Sequence, residues 1–355
     1  MKITTRSMFG ISARFALGLA AALAVCGFML SSATAAEKAK NLFGAKVLPA
    51  LAAPQSFGFY SKGCFAGGVA LPLDGPTWQV MRPSRNRRWG HPELIGLLEK
   101  FSRDAAAEGW RGLLVGDIAQ PRGGPMLTGH ASHQIGLDAD IWFTPMPARR
   151  YSLAQRDTVG AVSLIRPGTH LVDERKWAPV YARLLRQAAS YPEVERIFVN
   201  PGIKKKLCDT VSGDRAWLNK IRPLWGHDSH FHIRISCPPG STGCKPQRGT
   251  GTADGCGEQL AWWFTDEPWR PAKGPQKPKA RDVMTMADLP KACQVVLGEP
   301  APLSADAVTY WAKGTAVAAS GAPEAPAAAM PAMPDTASAF VPTPKVDIPL
   351  PLPRP

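Results

Sequence analysis

Apolar positions recur along this chain with two periods, and each period predicts a kind of element. Between Pro92 and Glu108, Leu94, Leu97, Leu98 and Phe101 fall three and four apart and form one stripe of a helix. Pro92 suits the first turn, where no amide donor is needed, and Gly109 stops the helix. The spacing predicts a second helix over Trp177 to Ala189, and Asn200-Pro201 opens a third, short one running toward Cys208. Extended segments are predicted at Gly112 to Ile118, Leu137 to Phe143, Arg196 to Val199 and His230 to Ile235. Helices and short strands mix without a βαβ series, and long loops join them, so the expected class is α+β.

The strand period also sorts side chains by face, because residues two apart point the same way. Asp138, Asp140 and Trp142 share one face of their segment while Leu137, Ala139 and Ile141 pack the other. His230, His232 and Arg234 likewise stand opposite Phe231, Ile233 and Ile235. Five of the seven histidines lie in two clusters, Gly129 to Asp140 and Gly226 to His232. Neutral imidazoles and a carboxylate are the donors a borderline cation such as Zn²⁺ prefers, and neither cluster contains a cysteine that would close the site as a thiolate cage. Asp140 and His232 on paired strands, with His133 from the glycine-bounded loop, supply three ligands and leave a fourth position for water. A helical His130/His133 pair is the competing geometry, and Gly129 and Gly136 argue for the loop. Each residue also has a plainer reading. Asp138 reads as a hydrogen-bonding support, Asp228 as a turn residue and His91 as a helix-start residue, while His170 has no visible partner.

Composition changes the setting of this chemistry. Lys2, Arg6 and Arg14 precede and flank an apolar run from Phe15 to Leu30, and Ala33-Thr34-Ala35 places small residues where a leader is cut. Residues 1–35 are therefore expected to be a signal peptide, with 36–54 a lead-in to the folded body. The apolar run falls short of the roughly 20 residues a membrane span needs. A lipoprotein reading through Leu23-Ala24-Val25-Cys26 suffers from Val25, since a small residue belongs before that cysteine. Cleavage leaves six cysteines, an even set that suits three disulfides in an oxidising compartment, with fifteen possible pairings. The formal charge of +14 falls to about +11 without the leader, which favours anionic partners. The chain has no zinc-finger, helix-turn-helix or RNA-binding signature, so the cell envelope is favoured over nucleic acid. From Gly314 onward alanine and proline dominate, and residues 314–355 are expected to form a disordered tail. A proline- and lysine-rich stretch, Pro268 to Lys279, sets off the segment around Cys293, which that cysteine is expected to tie back.

The pattern His-x6-Asp followed by His-x-His resembles the lysostaphin, D-Ala-D-Ala peptidase and hedgehog-like zinc fold. Ser132 to Trp142 and Trp225 to Arg234 look like the two motif blocks of the penicillin-insensitive murein endopeptidases, a resemblance that covers roughly residues 55 to 295. It implies a zinc endopeptidase domain over 55–300, built on a small antiparallel sheet with flanking helices and long disulfide-tied loops. Carried over residue by residue, it makes His133, Asp140 and His232 the zinc ligands, with His130, His227 and His230 lining the site and His130 counted in the metal set. It also implies the pairings Cys64–Cys293, Cys208–Cys256 and Cys237–Cys244. The implied reaction is hydrolysis of the D-alanyl to meso-diaminopimelyl cross-link of peptidoglycan in the periplasm, by a metal-activated water. Without an acyl-serine, penicillin has nothing to trap. Neither block holds the His-Glu-x-x-His arrangement, so His230 is the candidate base, and His227 the candidate to hold the oxyanion or the leaving amine. Two other classes stay open: a non-catalytic wall-binding protein with structural zinc, and a zinc carboxypeptidase acting on D-Ala-D-Ala. After loss of the leader no membrane integration is expected, and the sequence carries no signal for an oligomeric state.

Overall fold

The computed structural model describes residues 36–271 and 273–310; the expected leader and the Ala/Pro-rich tail lie outside these residues. The described residues open with helix α1 (Ala39–Gly44), the hairpin β1 (Gln55–Phe59) and β2 (Lys62–Ala66), and short strands β3 (Val69–Ala70), β4 (Asp74–Gly75), β5 (Trp78–Val80) and β6 (Trp89–Gly90). Helix α2 (Pro92–Ala107), strands β7 (Leu113–Val115) and β8 (Asp138–Trp142) and helices α3 (Leu153–Thr158) and α4 (Pro179–Ser190) follow. Strand β9 (Val194–Val199), helix α5 (Pro201–Thr210), strands β10 (Ile221–Pro223) and β11 (His230–Ile235), and helices α6 (Glu258–Ala261), α7 (Ala280–Val283) and α8 (Ala292–Gly298) complete it. The class is α+β, as expected.

A seven-stranded sheet in the order β10-β9-β11-β8-β7-β5-β4 carries the body. Its centre, β9-β11-β8-β7, is antiparallel, while β10 joins β9 and β5 joins β7 in parallel. The sheet is wider than the four extended segments predicted, because β4, β5 and β10 have two or three residues each and give no measurable alternation. Its core face presents Ala139 and Ile141 from β8, Phe231, Ile233 and Ile235 from β11, and Ile197 and Val199 from β9, all buried. These residues share one apolar cluster with Leu94, Leu97, Leu98 and Phe101 of α2 and Leu184, Leu185 and Ala188 of α4. Burying such a set, at roughly 1.5–3 kcal/mol for each large side chain, holds the sheet flat against its helices.

The helix boundaries have local causes. His91 caps α2 through Nδ1, which accepts from the Glu93 amide at 3.3 Å, and Gly109 adopts φ +87° just past the last turn. Helix α4 starts two residues later than its apolar stripe because Pro179 occupies the first turn and Ala178 before it is extended. Asn200 caps α5 by accepting from the Gly202 amide at 2.9 Å. Between Gly112 and Ile118 only Leu113–Val115 pairs as a strand.

Disulfides join Cys64 to Cys293, Cys208 to Cys256 and Cys237 to Cys244, the pairs implied by the resemblance. Cys64 on β2 and Cys293 on α8 sit in a second apolar cluster with Ala39 and Phe43 of α1, Met284, Leu289 and Val296. The lead-in thus packs onto the returning C-terminal segment. Arg122 secures that segment too, donating to the carbonyls of Val296, Leu297 and Glu299 at 2.6, 3.1 and 2.7 Å.

Candidate metal centre

The face of β8 and β11 away from the core is polar and nevertheless buried. Register pairs His232 directly with Asp140 and Arg234 with Asp138, so the two strand-borne candidates stand side by side. His133 reaches them from the loop before β8, with φ +65°. That left-handed backbone turns its amide onto Asp138 Oδ2 at 3.0 Å and its ring Nδ1 onto the Ile118 carbonyl at 2.6 Å.

These contacts determine which ring atoms face the centre. A carbonyl only accepts, so His133 Nδ1 carries the proton and Nε2 offers a lone pair. His232 Nε2 lies 3.0 Å from Asp138 Oδ1 in a bent contact. An ionised carboxylate has only acceptors, so that nitrogen holds the proton and Nδ1 offers the lone pair. His133 Nε2 and His232 Nδ1 each stand 3.5 Å from Asp140 Oδ1. Two ligands of one tetrahedral zinc, at ordinary zinc–nitrogen and zinc–oxygen lengths, are about 3.4 Å apart. His133 Nε2 and Asp140 Oδ1 are buried and find no hydrogen-bond partner among the described residues. Leaving such atoms unpaired costs roughly 1–3 kcal/mol each, which a cation held between them removes. The donor set therefore fits a metal ion that accepts nitrogen and oxygen ligands, as zinc does.

His130 stands at the edge of this set. Ligand atoms of His130, His133 and Asp140 lie within 4.8 Å of one another, so geometry also groups these three. His130 Nε2, however, is 3.1 Å from Asp117 Oδ2 and 3.5 Å from Asp140 Oδ2. Asp117 in turn accepts from Arg87 at 2.8 Å and Arg85 at 3.2 Å. His230 Nε2 is 3.7 Å from Asp140 Oδ2, and its ring is 5.1 Å from that of His227. His227 has φ +53° and contacts the Trp225 carbonyl through Nδ1 at 2.8 Å. Beside the cluster lies a narrow cleft lined by Arg82, Arg85, Asp117, His130, Asp140 and Trp142.

Burial favours the neutral form of three of the imidazoles, while for His133 the carboxylates of Asp140, Asp138 and Asp117 outweigh burial and raise it. Burial lowers His232 to about 4, lowers His130, and holds His227 well below the ordinary histidine value. For Asp140 burial acts upward, and the surrounding His230, His130 and His133 outweigh it, holding the carboxyl well below its usual range. The outcome is an ionised Asp140 at the middle of the histidines.

Asp138 supports both ligand blocks, and His91 caps a helix. His170, read as having no partner, stacks on Trp269 at 3.8 Å, a ring 99 residues away that no local spacing reveals. Asp117 was not singled out, because it is a single carboxylate just past the three paired residues of β7 and belongs to neither histidine cluster.

Buried nitrogen and oxygen donors converge on the sheet of a mixed α+β body, an arrangement able to hold a metal ion. The family model for penicillin-insensitive murein endopeptidases matches residues 56–298, and the chain belongs to this family. It is 46% identical over 243 residues to the penicillin-insensitive murein endopeptidase of Haemophilus influenzae, covering 68% of this chain and 82% of that protein. The proteins of the same name from Klebsiella pneumoniae subsp. pneumoniae and Yersinia enterocolitica are 42% and 39% identical, covering 69% and 70% of this chain and 86% and 87% of theirs. Among the described residues no helix is long and apolar enough to cross a membrane.

Proposed function

We propose that this chain is a periplasmic zinc endopeptidase that hydrolyses the D-alanyl to meso-diaminopimelyl amide cross-linking peptidoglycan stems. The observation that carries the reading is the convergence of His133 Nε2 and His232 Nδ1 on Asp140 Oδ1, each at 3.5 Å, in a member of the murein endopeptidase family. Zinc bound there supplies a Lewis acid that polarises a carbonyl and brings the pKa of water to about 7.

The other steps fall to side chains. His230, two positions from His232 on the same strand face, takes the proton as water adds to the scissile carbonyl and returns it to the amide nitrogen as the C–N bond breaks and the amine leaves. His227 gives its Nδ1 proton to the Trp225 carbonyl and is kept neutral by burial, so its Nε2 is an acceptor. That polarity supports a contact with the N–H on the amine side of the scissile bond rather than with an oxyanion. No acyl-serine forms in this scheme, so a β-lactam has no target.

A cross-linked D,D-muropeptide dimer and a free D-Ala-D-Ala dipeptide separate this reading from a carboxypeptidase. Rapid conversion of dimer to two monomers with little dipeptide cleavage is expected; the reverse preference contradicts it. In His230→Ala, turnover is expected to drop by about 10²–10⁴ while zinc stays bound. An active His230→Ala enzyme removes that residue from the mechanism.

A further inference from the structure

His133 and His232 are 99 residues apart in sequence, yet one buried carboxylate touches both. Asp138 Oδ2 accepts from the His133 amide at 3.0 Å, and Oδ1 stands 3.0 Å from His232 Nε2. Asp138 has only two oxygens, so its rotation about the side chain decides whether both contacts exist together. Arg234 fixes that rotation with a two-pronged grip, Nε to Oδ1 at 2.7 Å and Nη2 to Oδ2 at 3.1 Å. The guanidinium is itself immobilised. Its central carbon lies 3.9 Å from the centre of the Tyr60 ring and 5.1 Å from that of Phe198, and its third nitrogen, Nη1, donates to Gln247 Oε1 at 2.8 Å. Four segments far apart in sequence thus hold one plane in place.

We infer that Arg234 is a positioning residue for the metal centre: through Asp138 it orients the His133 loop and directs His232 Nδ1, rather than Nε2, toward Asp140. The inference rests on His133, Asp140 and His232 being the ligands. A guanidinium that merely neutralised a buried carboxylate would contribute stability and leave the ligand atoms where they are. The fork makes the difference, because lysine supplies the same charge and cannot span two oxygens or lie flat on Tyr60.

The test is zinc affinity of the full mature chain, read by competition with a chromophoric chelator and without any wall substrate. Arg234→Lys is expected to weaken zinc binding by about 10–100-fold, the usual effect of losing a group behind a metal ligand. Asp138→Asn, nearly the same shape, is expected to do the same, and the double variant to be no weaker than the poorer single one. Nitrogen NMR of the imidazoles in the metal-free protein is expected to show His232 protonated at Nε2 in the wild type and mixed between its two nitrogens in Arg234→Lys. Folded Arg234→Lys with wild-type zinc affinity and an unchanged His232 pattern would overturn the inference and reduce the ion pair to a stabilising contact. Wild-type protein that takes up no zinc overturns the ligand set and this inference with it. Zinc uptake without cleavage of cross-links sinks only the endopeptidase reading.

Discussion

The two halves of the centre are built in different ways. Asp140, His230 and His232 stand on paired strands, where the pleat fixes their direction and the register sets Asp140 opposite His232. His133 and His227 instead come from loops with φ of +65° and +53°, a conformation that costs a non-glycine residue roughly 1–2 kcal/mol. The loop half offsets that strain with individual hydrogen bonds, His133 to Asp138 and Ile118, and His227 to Trp225. Strands fix where their side chains project, and only the turn of the His232 ring is left to Asp138. Loop histidines hold their direction only while each supporting carbonyl and carboxylate stays in place.

The largest effect is expected on the strand side. Asp140→Ala removes the oxygen shared by both nitrogens, so zinc binding and turnover should fall together by three or more orders of magnitude, measured by metal analysis and muropeptide digestion. The backbone pairing of β8 with β11 should survive, and amide exchange checks it. If exchange in these strands rises as well, the strand half also depends on its ligands and the contrast fails.

The loop side is expected to respond to substitutions that touch no ligand. Gly136 has φ +71°, and a methyl group there would meet the Phe65 ring at 3.0 Å and the His91 nitrogen at 3.1 Å. Gly136→Ala should cost about 1–3 kcal/mol in urea denaturation and weaken zinc binding through His133, with β8 and β11 protection unchanged. Wild-type stability in Gly136→Ala would show that the loop tolerates movement.

A smaller effect is expected from pH. The His91 amide donates to the Gly136 carbonyl at 2.9 Å, and its ring caps α2. Burial lowers His91 to about 4 from an ordinary 6.5. A folded value below the unfolded one means the contribution is complete above pH 6.5 and is lost as pH falls toward 4. The loss is expected to reach about 1–2 kcal/mol by pH 4, discounted for partial solvent screening. His232, lowered to about 4 as well, titrates in the same window, so the measure is the difference in slope between wild type and His91→Asn, which keeps a cap acceptor. Parallel slopes would remove His91 from the support of the loop.

The same contrast explains how much was legible in the sequence. Helix α2 and strands β8 and β11 announce themselves, since Leu94 to Phe101 and His230 to Ile235 carry full periods and end in definite stops. The β1–β2 hairpin was not anticipated, although Phe57 and Phe59 alternate in β1; Gly58, Gly63 and Cys64 interrupt a propensity reading that the Phe57–Cys64 register makes clear in space. His130 and His133 were placed in a loop because of Gly129 and Gly136, but their supports, Asp117 and the Ile118 carbonyl, arrive from another segment and leave no local mark. Residues supported by their own element can be read from periodicity. Those supported across the fold need coordinates or a resemblance.

The most direct measurement is digestion of a D,D-cross-linked muropeptide dimer by the purified mature chain, with chelator, then with zinc restored, beside His232→Ala. Cleavage to two monomers that stops with chelator, returns with zinc and never occurs in His232→Ala is the predicted result. Cleavage that persists in chelator, or in His232→Ala, would contradict a metal centre built on these three residues.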